Sequence, residues 1–195
     1  SKNYKTKATV GNLNNHIGVP LTLLSFNSET EIGIVEMGAN HKKEIEFLCE
    51  LAKPDYGYIT NFGKAHLEGF GGVEGVIEGK SEMYLYLSQN NKQAFINLED
   101  AIQVEKSKTL QSYSFGINKA EANVNISAVS ANPFVVITYS DITISTHLIG
   151  LYNANNINAA ITIGNYFKVS DEQIKEAIEN YIPENNRSQL IQKNG

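Results

Sequence analysis

Apolar positions along the first hundred residues switch between two periods. EIGIVEMGAN (31–40) is a short apolar run that closes on Glu36, Gly38 and Asn40. In HKKEIEFLCELAKPD (41–55), Ile45, Leu48, Cys49 and Ala52 recur at helical spacing, and Pro54 ends the helix. YGYITNFG (56–63) is a second β-rich run ending in Asn and Gly. VEGVIEGKSEMYLYLSQ (73–89) returns to the helical period through Val73, Val76, Ile77, Met83, Tyr84 and Leu87. KQAFINLED (92–100) reads as a third strand with a turn, and QSYSFG (111–116) as a fourth. Strands alternating with helices predict a parallel sheet with right-handed crossovers. From residue 123 the pattern changes. NVNISAVS (123–130), FVVITYS (134–140) and ITISTHLIG (142–150) are strands with links as short as Asn132-Pro133 and Ser140-Asp141, which predicts antiparallel hairpins. Two helices follow, over 153–169 and 170–182. The second opens on Ser170 with Gln173 three residues on, a capping-box pattern. The expected fold is α/β: a mainly parallel sheet flanked by helices, with a smaller antiparallel portion over 112–150.

Composition narrows the function classes. The 195 residues are 42 % hydrophobic and 19 % charged, ordinary for a globular chain large enough for a substantial core. The net charge of −5, from 16 basic and 21 acidic residues, argues against broad nucleic-acid binding, which needs a basic face. A small anion is still compatible, because a few N–H groups and one cation hold it. Cys49 is the only cysteine, so no disulfide forms within the chain and a metal site would use O and N ligands. No apolar run approaches a membrane span, and no signal peptide opens the sequence. The expected location is cytoplasmic, with no membrane insertion.

In open parallel sheets ligands bind beyond the carboxyl ends of the strands. Here those ends deliver Glu36-Met37-Gly38-Ala39-Asn40, then Asn61 through His66, then Asn97-Leu98-Glu99-Asp100. Asn, Asp and Gly also simply make turns. Glu36 differs, because it follows Gly-Ile-Val directly, where a turn needs no carboxylate. His66 is by type a metal ligand or proton carrier near neutral pH, or a structural residue. A carboxylate and an imidazole on one rim suit Mg²⁺ or Mn²⁺ beside a phosphate better than a closed zinc site. A phosphate loop of the form Gly-x-x-x-x-Gly-Lys-Ser/Thr is absent. NYKTKATVGN lacks the preceding glycines, and GFGGVEGVIEGK has the wrong spacing. The asparagines and glycines of TVGNLNNHIGVPLTLL (9–24) make either a turn-rich connector or a ligand-facing loop, with Pro20 in the first turn of a helix.

GNLNNHIGVPLTLL, VEMGANHKKEI, PDYGYITNFGKAHLEGFG, EGVIEGKSEMY and GLYNANNINAA, in that order over nearly the whole chain, resemble the Mur ligases of peptidoglycan synthesis. The resemblance implies a central, P-loop NTPase-like ATP-binding domain over residues 1–187, with 188–195 starting a linker to a C-terminal domain and the phosphate loop lying upstream of residue 1. It implies ATP and two Mg²⁺ ions as cofactors, and UDP-N-acetylmuramoyl-tripeptide and D-alanyl-D-alanine as substrates. A substrate carboxylate attacks the γ-phosphate, and the amine then attacks the acyl phosphate. Glu36 and His66 resemble the family's metal ligands. Lys80, fourteen residues after the histidine, matches its carbamylated lysine. Asn153 and Asn156 match the pair that contacts the nucleotide, although Tyr152 stands where histidine is usual. Arg187 resembles the arginine that reaches the phosphates, and Asn14 and Asn15 lie in the substrate-facing loop. Without the resemblance Lys80 reads as an exposed helix lysine. Alternatives are another Mur ligase, a folylpolyglutamate synthase-like ligase, or a nucleotide-free binding module. The chain alone is expected to be inactive toward ATP, to self-associate through uncovered apolar surface, and to leave Arg187 mobile.

Overall fold

The computed structural model describes residues 3–63 and 66–183. The described residues divide into two compact units, one of residues 3–63, 66–96 and 100–112, the other of 97–99 and 113–183.

In the first unit, β1 (Thr6–Ala8) pairs in parallel with β2 (Ile32–Ile34), Thr6 opposite Ile32. A second parallel pair joins β3 (Tyr56–Tyr58) to β4 (Gln93–Asn97), Gly57 opposite Ala94. The helices are α1 (Gly18–Leu24), α2 (Glu44–Ala52), α3 (Leu67–Phe70), α4 (Val73–Gln89) and α5 (Ala101–Lys106). The two long helical periods of the sequence become α2 and α4. Lys53, left-handed at φ 47°, closes α2 just before Pro54. A core of Val19, Ile45, Leu48 and Cys49 joins α1 to α2, and Val35, Met37, Met83 and Tyr86 pack around it. β1, α3 and α5 are too short to show a period. α5 begins where the sequence reads as a turn: the Asp100 carboxylate accepts from Ile102 N–H at 2.9 Å and Gln103 N–H at 3.1 Å, an N-cap. α3 and α4 meet closely enough that a Cβ on Gly75 would collide with the carbonyl oxygen of Phe70. Glycine in a helix interior costs about 1 kcal/mol relative to alanine, and here close approach requires it.

In the second unit, β5 (Gln111–Ile117), β6 (Val124–Ala131), β7 (Phe134–Tyr139) and β8 (Ile142–Ile149) precede a 3₁₀ turn (Leu151–Asn153), α6 (Ala154–Tyr166) and α7 (Asp171–Glu179). β6–β7 and β7–β8 are antiparallel. β5 and β6 are parallel, Phe115 opposite Val124, so the antiparallel portion expected from residue 112 begins instead at β6. A parallel pair normally needs a long crossover. The short link here uses side-chain amides: Asn123 Oδ1 accepts from Ser114 N–H at 2.8 Å, and Asn125 Oδ1 from Lys119 N–H at 3.0 Å. Ser140 and Asp141, at φ 47° and 63°, make the two-residue turn between β7 and β8. The capping box expected at Ser170 and Gln173 is present. A chain of bonds runs from Tyr113 Oη to Asn165 at 2.6 Å, from Asn165 Nδ2 to Tyr139 Oη at 2.7 Å, and from Tyr139 Oη to Asp171 at 3.0 Å, tying β5, α6, β7 and α7 together. No helix among the described residues is long and apolar enough to cross a membrane.

Asn158, on α6, is fully buried, and among the described residues neither polar atom of its side chain has a partner. A buried, unsatisfied amide costs about 1–3 kcal/mol. Asn158→Leu, similar in length, is therefore expected to stabilise the chain by roughly that amount, read as a higher urea midpoint with an unchanged slope. A lower midpoint would mean that the amide is satisfied in solution.

Candidate functional site

The stretch from Thr9 to Gly38 builds a carboxylate cradle. After β1, the Thr9 hydroxyl accepts the Glu36 N–H at 2.9 Å. Asn15 Oδ1 accepts the N–H groups of Ile17 and Gly18 at 3.1 and 3.0 Å, and its carbonyl accepts Val19 N–H at 2.9 Å. Asn15 thus starts α1, with Pro20 in the first turn, where a missing N–H costs nothing. Asn14 faces the segment after β2. Its carbonyl accepts Gly38 N–H at 2.7 Å, and its Nδ2 donates to Glu36 Oε1 at 2.9 Å. Gly38 is needed for this approach, because a Cβ there would come within 2.9 Å of the Asn14 amide nitrogen. Glu36 itself is exposed at the carboxyl end of its strand, so its carboxylate is oriented yet open to solvent.

Lys80 lies on α4 and is half-buried. Its Nζ donates to the carbonyl of Asn61 at 2.6 Å, in the segment that follows β3. Burial holds its pKa below the ordinary lysine value. No carboxylate pairs with it among the described residues. The same segment leads to His66, an exposed residue in the left-handed region (φ 58°), whose carbonyl accepts Gly69 and Phe70 N–H at 3.1 and 3.2 Å to begin α3. The structure therefore joins Asn14 to Glu36 and Lys80 to Asn61 by hydrogen bonds. No hydrogen bond or ion pair directly joins Glu36, His66 and Lys80.

Among the described residues no three His, Cys, Asp or Glu side chains gather into a metal cage. Cys49 is buried in the core, its thiol pushed up to about 12 by desolvation, so it offers no thiolate. In the second unit Asn153 is buried and its Nδ2 donates to the Ile149 carbonyl at 2.8 Å, while Asn156 is exposed one turn along. Arg187 and the segment 188–195 lie outside the described residues. The sequence reading missed Thr9, which acts through a hydroxyl and carries no motif, and placed Asn61 at a strand end without a role for its main-chain carbonyl. It also missed Glu82, which looks like one more charge on a helix.

A family model described as the Mur ligase middle domain matches residues 1–164. The chain belongs to that family. The Mur ligase middle domain here is 32 % identical over 188 residues to the UDP-N-acetylmuramoyl-tripeptide--D-alanyl-D-alanine ligase of Bacillus subtilis, covering 96 % of this chain and 41 % of that protein. It is similar to a crystal structure of MurF from Acinetobacter baumannii, with a TM-score of 0.87 at 29 % identity, over 99 % of this chain and 44 % of the other. A Thermotoga maritima MurF ligase in complex with ADP gives 0.80 at 25 % identity, over 99 % and 46 %. The chain thus spans about two fifths of the length of these relatives.

The cradle predicts an energetic coupling between residues 14 and 38. Gly38→Ala is expected to destabilise the chain, because its methyl meets the Asn14 amide. In the Asn14→Ala background the same change should cost less, with a coupling of about 0.5–3 kcal/mol, the range for residues in contact. A double-mutant cycle by urea unfolding reads it, and simple additivity would contradict the geometry.

Proposed function

We propose that this chain is the nucleotide-using middle part of an ATP-dependent ligase that joins D-alanyl-D-alanine to UDP-N-acetylmuramoyl-tripeptide in the cytoplasm. The observation that carries the reading is Lys80, a half-buried lysine with a lowered pKa and no carboxylate partner among the described residues, in a chain of this family. A solvated helix lysine would be expected to stay at its ordinary value.

In this reaction the tripeptide carboxylate takes the γ-phosphoryl group of ATP, ADP leaves, and the D-alanyl-D-alanine amine displaces phosphate from the acyl phosphate. The site must hold several anions together and exclude water. The donors available suit a hard cation: Glu36 gives carboxylate oxygen, His66 an imidazole, and no thiolate competes. Few protein ligands are what Mg²⁺ needs beside phosphates, because it keeps several waters and phosphate oxygens of its own. When bound, Mg²⁺ supplies the charge that neutralises the phosphates. Lys80 contributes by losing its ammonium proton more readily than a solvated lysine. The neutral amine adds to CO₂ and releases a proton, which converts it into a carbamate with two further oxygen donors. Asn61 accepts from Nζ and orients it, and Asn14 orients Glu36. Asn14 and Asn15 lie in the substrate-facing loop, and Asn153, Asn156 and Arg187 serve the nucleotide. Exposed Ile17, Leu21, Leu24 and Ile34 support self-association of the chain on its own.

The test uses the full-length protein. Phosphate release should require both UDP-N-acetylmuramoyl-tripeptide and D-alanyl-D-alanine. Lys80→Ala should lower kcat by about a hundredfold or more, the scale of removing one group that stabilises transition-state charge. A small carboxylate added to the variant should restore part of the rate, and added CO₂ should not. Full activity of Lys80→Ala would end the proposal.

A further inference from the structure

α4 turns a buried carboxylate inward on a different side from Lys80. Residues two apart on a helix point to nearly opposite sides. Lys80 reaches the segment after β3, and Glu82, only 8 % exposed, reaches the start of α2. Its Oε1 accepts Lys43 N–H at 2.6 Å and its Oε2 accepts Glu46 N–H at 3.1 Å. α2 has no side-chain cap of its own. Glu82 therefore caps it from another helix, satisfying two orphan donors and placing negative charge at the positive end of the dipole.

That cap also ends the segment that begins at Glu36. Residues 36–43 are tied at one end by Thr9 and Asn14 and at the other by Glu82. Between them, Glu44 accepts from Asn40 N–H at 2.6 Å and His41 N–H at 3.1 Å. Glu78, one turn before Glu82 on the same face of α4, forms an exposed ion pair with Lys42. Lys43 holds a left-handed conformation (φ 74°), which the carboxylate on its N–H helps to fix.

We propose that Glu82 is a positioning residue for the ligase site. Through its two main-chain bonds it sets the segment carrying Glu36 against the helix carrying Lys80. The inference rests on the reading of Glu36 and Lys80 as metal-site residues. Glu82 touches neither metal nor substrate. Glu82→Gln keeps the size, loses the charge and turns an NH₂ group toward one of the two N–H donors.

The experiment uses full-length wild type, Glu82→Gln, Glu78→Gln and Lys80→Ala. Mn²⁺ is titrated by electron paramagnetic resonance with a non-hydrolysable ATP analogue present, and kcat and KM are measured across Mg²⁺ concentrations. Amide exchange is followed at residues 43 and 46. Glu82→Gln should weaken Mn²⁺ binding about tenfold, the scale seen when a residue supporting a metal ligand is lost. It should raise the Mg²⁺ requirement to match, leave the KM for D-alanyl-D-alanine unchanged, and speed exchange at both amides. Glu78→Gln should leave the metal response unchanged, because an exposed ion pair contributes little. Loss of folded protein alone lowers kcat but does not move a metal affinity. If Glu82→Gln fails to fold, Glu82→Asp, with the same charge one methylene shorter, is read in the same ways. Faster amide exchange with unaltered Mn²⁺ affinity overturns the proposal, as does an equal shift in Glu78→Gln. If Lys80→Ala binds Mn²⁺ as wild type does, the metal-site reading itself fails, and this inference with it.

Discussion

The carboxylate of Glu82 on the N-terminus of α2 is the contact on which the first unit's geometry turns. A helix start leaves N–H groups that must find partners, and a buried carboxylate must find donors. Each solves the other's problem, and the solution fixes α2 against α4. The apolar core extends the same arrangement, since Met83 and Tyr86 of α4 pack against the cluster that includes Leu48 and Cys49 of α2. α3 closes on α4 through Gly75. α4 thus serves as a spar, with the segment from β2 on one side and the segment from β3 on another. The residues proposed to hold the metal come from those two segments and from the spar itself.

The elements legible in the sequence were those long enough to display a period. α2 and α4 stood out because each carries several apolar residues on one face, and β7 because FVVITY is a run of aromatic and β-branched residues beside a short link. Three-residue β1 and six-residue α5 carry no such signal, and α5 is capped by Asp100, a residue equally at home in a turn. The parallel β5–β6 pair was illegible for another reason. Its short link depends on Asn123 and Asn125 acting as main-chain substitutes, and an asparagine in a sequence does not announce which of its roles it plays. Glu36 could be singled out because a carboxylate at the end of an apolar strand has no local purpose. Lys80 could not be separated from a solvated lysine without the family resemblance, because only tertiary burial lowers its pKa.

The asparagine-rich opening loop divides its labour in a way that composition could not specify. Asn15 spends its side-chain Oδ1 on starting α1, a local bond three residues ahead. Asn14 spends both a main-chain and a side-chain group on the segment around Glu36, more than twenty residues away. Adjacent residues of one type therefore do a helix-capping and a site-building task. Gly38 follows from the second task, since a side chain there would meet the Asn14 amide. A loop that looks like a connector is in this sense part of the scaffold of the carboxylate. Its polar character reflects the N–H and C=O groups that Asn14, Asn15 and Thr9 satisfy at the carboxyl end of β1 and β2.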